Sequence, residues 1–217
     1  MNIELARFNM IEQQIRPWDV LDPEVLSLLA VVKREDFVPR EWRAMAFVDT
    51  EVTLPEGQQM LAPKVEARLL QEMRVQRHER VLEVGAGSGY MAALLAHRAR
   101  QVITLEISPL LARLAQDNLR QAAATGVQVR CADGAKGLPA EAPFDAIVLS
   151  GSVAAVPQAL LDQLSVGGRL VAILGDEPVM RARLFTRVDE KAFAQVDLFD
   201  TVAQRLRGFE EGDRFVF

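Results

Sequence analysis

The sequence has 217 residues, 50% of them hydrophobic and 25% charged, with a formal net charge of -5; that is length for one sizeable α/β core, and the acidic balance argues against affinity for a phosphate backbone, so no nucleic-acid partner is expected. A single cysteine, Cys131, and two histidines, His78 and His97, exclude an internal disulfide and a cysteine/histidine metal site. No apolar run reaches the roughly 18 residues of a membrane span, and the opening MNIELARFNMIEQQIRP carries acids and amides where a signal peptide has a basic end and an apolar run, so a cytoplasmic protein without membrane contact is expected.

At the start, Ile3, Leu5, Phe8, Ile11 and Ile15 recur at mixed helical spacing and predict a helix that Pro17 ends. DPEVLSLLAVV opens a second helix, with Asp22 as N-cap and Pro23 at the first helical position. Between Phe37 and Ala62, the breakers Pro39, Pro55 and Gly57, with Pro63 one step on, predict loop with short ordered pieces. PKVEARLLQEMRV resumes a helix that shows Val65, Leu69, Leu70 and Met73 on one face. From Arg80 the rhythm changes to short β-rich runs alternating with helical segments. Strands are predicted at Arg80–Val84, Gln101–Ile107, Val127–Cys131, Phe144–Leu149 and Arg169–Leu174, and helices at Tyr90–Arg98, Pro109–Ala124 and Val156–Leu164. Repeated strand–helix–strand units imply a parallel sheet with helices on both faces, and near-continuous apolar strands imply that both faces are covered; Cys131 is therefore expected in the core. In RARLFTRVDEKAFAQVDLF two strand-like runs flank the polar turn Asp189–Lys191, which predicts an antiparallel hairpin at the sheet edge. The fold class is α/β and Rossmann-like, mainly parallel, with an N-terminal helical extension. Residues 1–78 would form a helical and loop region packed on a core of residues 79–217 as one compact unit.

RVLEVGAGSGYMAAL spends three glycines, Gly85, Gly87 and Gly89, between a strand and a helix. Such a turn lets a ligand approach main chain with no Cβ in the way, and marks a candidate nucleotide cradle. Glu106 follows about twenty residues later, at the end of the second strand, where a carboxylate can accept from both ribose hydroxyls. A dinucleotide fingerprint needs Gly-x-Gly-x-x-Gly to seat a pyrophosphate on the helix N-terminus. Here the pattern is Gly-x-Gly-x-Gly, Tyr90 stands at the last glycine's place, and no basic partner is near. Glu83 would repel a pyrophosphate but could orient an amino-acid group. The spacing favours S-adenosylmethionine, which carries no phosphate. Asp133-Gly134, after the third strand, is placed to receive the adenine amino group. With their neighbours Ala86, Ser88 and Ile107, these residues form the candidate cofactor set.

VLEVGAGSGY resembles the cofactor motif of the protein-L-isoaspartate O-methyltransferases, within the class I S-adenosylmethionine-dependent methyltransferases, down to the tyrosine after the last glycine. DPEVLSLLAVVKREDFVP is similar to that family's N-terminal helix and its Arg-Glu/Asp-Phe-Val signature, and APFDAIVLSGSVAAVPQALLDQLSVGGRLVAILG to its fourth and fifth strands. The resemblance covers roughly residues 20 to 175. It implies methyl transfer from S-adenosylmethionine to the free α-carboxyl of isoaspartyl residues in damaged proteins or peptides, an ester that then collapses to a succinimide. It also implies that Gly85, Gly87, Ser88, Gly89, Glu106 and Asp133 contact the cofactor. No serine/histidine/aspartate set is found, and none is required: a carboxylate is already ionised at neutral pH, so no side chain is assigned as catalytic and the enzyme has only to align the reactants and exclude water.

The family's Gly-Gln-Thr-Ile-Ser-x-Pro loop reads GQQMLAP here. Gly57, Gln58 and Pro63 keep the frame, while Gln59 and Leu61 replace the two hydroxyls, the second of which the family places at the substrate end. Gln58, Gln59, Leu61 and Pro63 are thus the candidate substrate residues. A leucine cannot donate to a carboxylate, and a desolvated carboxylate without a donor is costly. The C-terminal TVAQRLRGFEEG lacks the family's Val-Pro-Leu stretch, and Arg205 or Arg207 could supply a compensating donor. Three readings stay open on the residues: an isoaspartyl methyltransferase with an altered loop, a methyltransferase for another carboxylate, hydroxyl or small molecule, and a cofactor-binding module without catalysis. Base methylation is disfavoured, because LSGSVAAVP lacks the Asn/Asp-Pro-Pro-aromatic motif.

Overall fold

The computed structural model describes residues 2–210. At the N-terminus, α1 (Ile3–Met10) is capped by the Asn2 side chain, which accepts from Leu5 N. It does not continue as a single α-helix, and Pro17 is not where the helical path ends: residues 11–15 form a π-turn and residues 16–18, Pro17 included, a 3-10 turn that stops at Asp19 in left-handed backbone. The second helix, α2 (Pro23–Val31), begins as its sequence predicts, with the Asp22 carboxylate accepting from Glu24 N at 2.8 Å and Pro23 at the first helical position. The predicted loop region contains a 3-10 helix (Arg40–Phe47) and a two-stranded antiparallel pair, β1 (Val52–Thr53) with β2 (Gln59–Met60). Next comes α3 (Pro63–Met73), whose buried face holds Val65, Leu69, Leu70 and Met73 as expected, and also Glu66.

The main sheet comprises β3 (Arg80–Val84), β4 (Gln101–Glu106), β5 (Val127–Cys131), β6 (Phe144–Val153), β7 (Leu164–Asp176), β8 (Val179–Arg187) and β9 (Phe193–Asp200). Its spatial order is β5-β4-β3-β6-β7-β8-β9, parallel from β5 through β7 and antiparallel at β8 and β9. The predicted C-terminal hairpin is therefore present, at the edge. Chain order reverses between β3 and β6, and that switch point opens a crevice at the carboxyl ends of the strands.

Residues alternate across the sheet with period two. Val81, Val102, Val148 and Val171 pack toward α1–α3, α4 (Tyr90–Ala96) and α5 (Pro109–Gln121), whereas Leu82, Ile103, Ile147 and Leu170 pack toward α6 (Gln158–Leu161). The two faces are thus covered unequally. The helix predicted at Val156–Leu164 shrinks to α6 because Leu164 already pairs with Phe144 as the first residue of β7. Cys131 corrects another expectation: it is exposed, since β5 is the outermost strand and lacks a neighbour on one side.

Arg169 on β7 ties the helical extension to the sheet. Its guanidinium grips Glu79 bidentately at 2.6 and 2.8 Å and donates through Nε to the Met73 carbonyl at the end of α3 at 2.6 Å. Both partners are largely buried, so removing one leaves a desolvated charge. We expect Arg169→Leu to cost about 3 kcal/mol in urea unfolding, and the double change Arg169→Leu with Glu79→Leu to recover much of that loss.

Candidate active site

The turn between β3 and α4 holds the three glycines in left-handed backbone, with φ of 93° at Gly85, 51° at Gly87 and 87° at Gly89. A side chain at any of them would be strained. At Gly89 a Cβ would also stand 3.1 Å from the Ala115 carbonyl of α5. The turn is pinned at both ends: Gly85 N donates to the Leu105 carbonyl at 2.8 Å, and Gly87 N to Glu106 Oε2 at 2.9 Å. The other Glu106 oxygen accepts from Ser108 N at 3.0 Å, so this carboxylate is oriented by main chain from two elements. At the end of β5, Gly134 lies so close to β3 that a Cβ would clash with Val84 Cγ1. Asp133 beside it is exposed and spends one oxygen on Ala135 N in a local turn at 3.0 Å.

Two small cavities meet at Gly85. The first is lined by Gln58, Val84, Leu105, Glu106, Ile107, Gly134, Leu206 and Arg207. Ala86, Gly87, Ser88 and Tyr90 line the second with Glu83, Ser150 and Glu66, and the loop residues Leu54, Gln59, Met60 and Leu61 form its opposite wall. Of the sequence-derived set, Pro63 and Gly89 line neither: Pro63 starts α3, and Gly89 packs against Ala115 and Leu119 of α5. Asp133 likewise stands outside both, facing Gly208 at the rim. Leu61 is buried and its carbonyl accepts from Arg34 Nη2 at 2.7 Å. No hydroxyl stands at its side-chain position.

The C-terminal segment crosses this cleft. Gln204 Nε2 donates to the Gly57 carbonyl at 2.9 Å, Leu206 lies against Gly85 and Gly151, and Arg207 donates to Glu56 Oε2 at 2.7 Å and the Glu56 carbonyl at 2.9 Å. Gln58 turns its amide oxygen to Arg207 Nη2 at 2.9 Å. Neither arginine serves the position vacated by the loop hydroxyl. Arg205 pairs with Asp176, and Arg207, tied to Glu56, lines the first cavity and not the one that holds Leu61.

Electrostatically the second cavity is unusual. Glu83 is fully buried; Oε1 accepts from Ser150 Oγ at 2.7 Å, and Oε2 has no partner at hydrogen-bond distance among the described residues, though the buried Thr104 hydroxyl of β4 faces the same carboxylate and favours its ionised form. Burial, reinforced by the nearby carboxylates of Glu66 and Glu106, pushes its pKa up to about 8. Glu66 pairs with the fully buried Arg34. Tyr90 packs edge-on to Phe37, with the Arg34 guanidinium 5.2 Å from its ring centroid, and its hydroxyl is buried without a partner among the described residues. Burial raises its pKa. Among the described residues no group of three or more His, Cys, Asp or Glu side chains is placed to hold a metal ion.

Sequence reading missed Ser150, Leu206, Arg34 and Glu66 as site residues. For Glu66 a signal existed: it is an acid on the apolar stripe of α3, three residues after Pro63. For Leu206 there was none.

Comparison with known proteins places this geometry. The family model for protein-L-isoaspartate(D-aspartate) O-methyltransferase matches residues 6–202. The chain belongs to this family. A protein-L-isoaspartate O-methyltransferase from Methanoculleus marisnigri is 42% identical over 78% of this chain and 77% of its own length. Protein-L-isoaspartate O-methyltransferase 2 from Marinobacter nauticus is 40% identical over 94% of this chain and 93% of its own. Among solved structures, a protein-L-isoaspartate O-methyltransferase superposes with a TM-score of 0.81 at 22% identity, covering 93% of this chain, which spans 66% of the solved one. A Plasmodium falciparum member in complex with S-adenosyl-L-homocysteine gives 0.77 at 20% identity over 95% and 99% of the two chains. At such identities these two superpositions show the fold, that of the class I methyltransferases. The chain is an S-adenosylmethionine-dependent O-methyltransferase, and the glycine turn and the unpartnered acceptor on Glu83 fit that cofactor.

Glu83 has a measurable consequence. Its folded pKa lies above the ordinary carboxylate value, so the folded state holds the proton longer than the unfolded chain, and stability falls as pH rises from about 5 through 8. We expect the melting temperature of the ligand-free protein to decline across that window, and Glu83→Gln, which has no proton to lose there, to flatten the decline in a thermal-shift series.

Proposed function

We propose that this enzyme methylates the free α-carboxyl of isoaspartyl residues in proteins or peptides, with acceptor entry along the loop of residues 57–63. The observation that carries this reading is the position of that loop. Gln59, Met60 and Leu61 share one small cavity with Glu83, Gly85 and Ser150, so the altered family loop still forms the wall facing the glycine turn. Family membership and the names of the relatives support the acceptor class.

In this reading Glu106 accepts from the ribose, Gly85, Gly87 and Gly134 admit the cofactor against bare main chain, and Ile107 borders the adenosine side. Glu83 faces the methionyl group, with Ala86, Ser88, Gly89 and Tyr90 shaping the turn around it. Asp133 reaches the adenine edge from the rim. When bound, S-adenosylmethionine supplies a methyl group on a sulfonium, a good leaving group. The protein's work is alignment and exclusion of water: Leu54, Met60, Leu61 and Leu206 wall the cavities with apolar surface. No general base is needed, because a carboxylate is ionised at neutral pH.

Leu61 and Gln59 set the expected weakness. A missing donor to a buried carboxylate is worth about 1.5–3 kcal/mol, or roughly one to two powers of ten in rate. Transfer of radiolabelled methyl groups to an isoaspartyl peptide should be slow in the natural protein and should rise on the double change Gln59→Thr with Leu61→Ser. Absence of transfer in both proteins, with cofactor bound, would refute the acceptor assignment. Separately, Glu106→Ala should weaken cofactor binding by roughly 1–3 kcal/mol in calorimetry, since the ribose loses its acceptor and Gly87 its anchor.

A further inference from the structure

The chain's own C-terminal segment covers main-chain surface that the glycines leave bare. A Cβ at Gly85 would stand 2.7 Å from Leu206 Cδ2, and one at Gly151 2.8 Å from the same atom, so this leucine lies directly on both glycines. The cavities that remain on either side of Gly85 are about 40 and 20 Å³. Sites for small ligands run to roughly 300–1,000 Å³, so these spaces admit water and not a nucleoside. Residues 204–208 are held differently along their length. The root is held by main chain: Ser152 N donates to the Gln204 carbonyl and Leu206 N to the Ser152 carbonyl, both at 2.9 Å, which fixes it to β6. The tip is held by side chains. Arg207 donates to Glu56 Oε2 and to the Glu56 carbonyl, and both side chains of this pair are more than a third exposed. Such pairs break at little cost.

We propose that residues 204–208 form a lid that competes with the cofactor, that Arg207 and Glu56 are its latch, and that Leu206 must leave Gly85 before the cofactor is admitted. The proposal rests on the S-adenosylmethionine-dependent methyltransferase reading but not on the identity of the acceptor. Glu56 is built for this position. It holds left-handed backbone, φ 58°, which a non-glycine residue keeps only where its surroundings enforce it. Its Oε1 accepts from Ser108 Oγ at 3.0 Å, and Ser108 N is a donor that orients Glu106. The Arg207 and Ser108 donors hold its carboxyl below the usual carboxylate range, so the latch is charged at neutral pH. Gln204 also holds the Gly57 carbonyl at 2.9 Å, so the lid closes against the start of the 57–63 loop as well as over the glycine turn.

The test is the rate of S-adenosylhomocysteine binding, read by surface plasmon resonance. A ligand that binds only the open form has its apparent affinity lowered by the fraction of molecules that are open, so loosening the latch should improve binding. Glu56→Gln keeps an acceptor for Ser108 and removes the charge that Arg207 grips. An exposed pair corresponds to a factor of roughly two to five. We expect association to quicken and Kd to fall by that factor, with dissociation unaltered; a residue that merely supports the fold would give no such gain. Arg207→Gln should give the same gain and the double variant no more, because the same pair is broken each time. A further variant carries Glu56→Cys, Arg207→Cys and Cys131→Ser, its two thiols joined by a bis-methanethiosulfonate spacer that reductant cleaves. Joined, it should not take up S-adenosylhomocysteine; cleaved, it should bind again. Unaltered or slower association in both single variants would overturn the proposal, as would uptake by the joined protein at the rate of the cleaved one. Loss of uptake that cleavage does not restore would overturn it too. Natural protein that binds no S-adenosylhomocysteine would sink the cofactor reading itself, and the proposal with it.

Discussion

Gly87 donates its N–H to Glu106, and this bond joins the turn after one central strand to the end of the next. Three left-handed glycines make it geometrically possible. With side chains there, the turn would open, α4 would lift from α5, and Glu106 would lose one of the two main-chain donors that orient it. The crevice at the switch point depends on this local backbone conformation more than on the sheet around it. Leu105 completes the lock by accepting from Gly85, so the turn is stitched to β4 from both ends.

Around that turn the protein places its polar groups at uneven depth. Glu106 is held by backbone donors and needs no cation. Arg7–Glu35 and Arg34–Glu66 are buried pairs under the helical extension. Such pairs add little net stability compared with apolar packing. Here they fix where the loop stands, because Arg34 also holds the Leu61 carbonyl. One buried cation therefore connects the wall of the second cavity to α3, and any shift of Leu61 is felt at Glu66.

Much of this was legible in the sequence for physical reasons. Apolar runs bounded by glycine and proline located all five parallel strands, and Asp22-Pro23 marked the start of α2. The glycine spacing separated a sulfonium cofactor from a dinucleotide. What stayed hidden depends on spatial order. Cys131 sits in an apolar run, but nothing local says that its strand is outermost. Val156–Leu164 has helical composition, yet Leu164 is captured by Phe144 across the sheet. Arg205 and Arg207 were visible as cations, but their partners, Asp176 and Glu56, lie far away along the chain. Leu206 gives no sign that it covers a glycine more than a hundred residues earlier.

The strap of residues 204–208 gives the cleft a history as well as a shape. Gln204 and Arg207 reach back 147 and 151 residues to Gly57 and Glu56, and Leu206 roofs Gly85. During synthesis the N-terminal parts emerge first. Sheet, helices and glycine turn are thus made before the roof exists. A chain made only as far as β9 carries an open trough where the folded protein, with Leu206 against Gly85, has a roofed cleft.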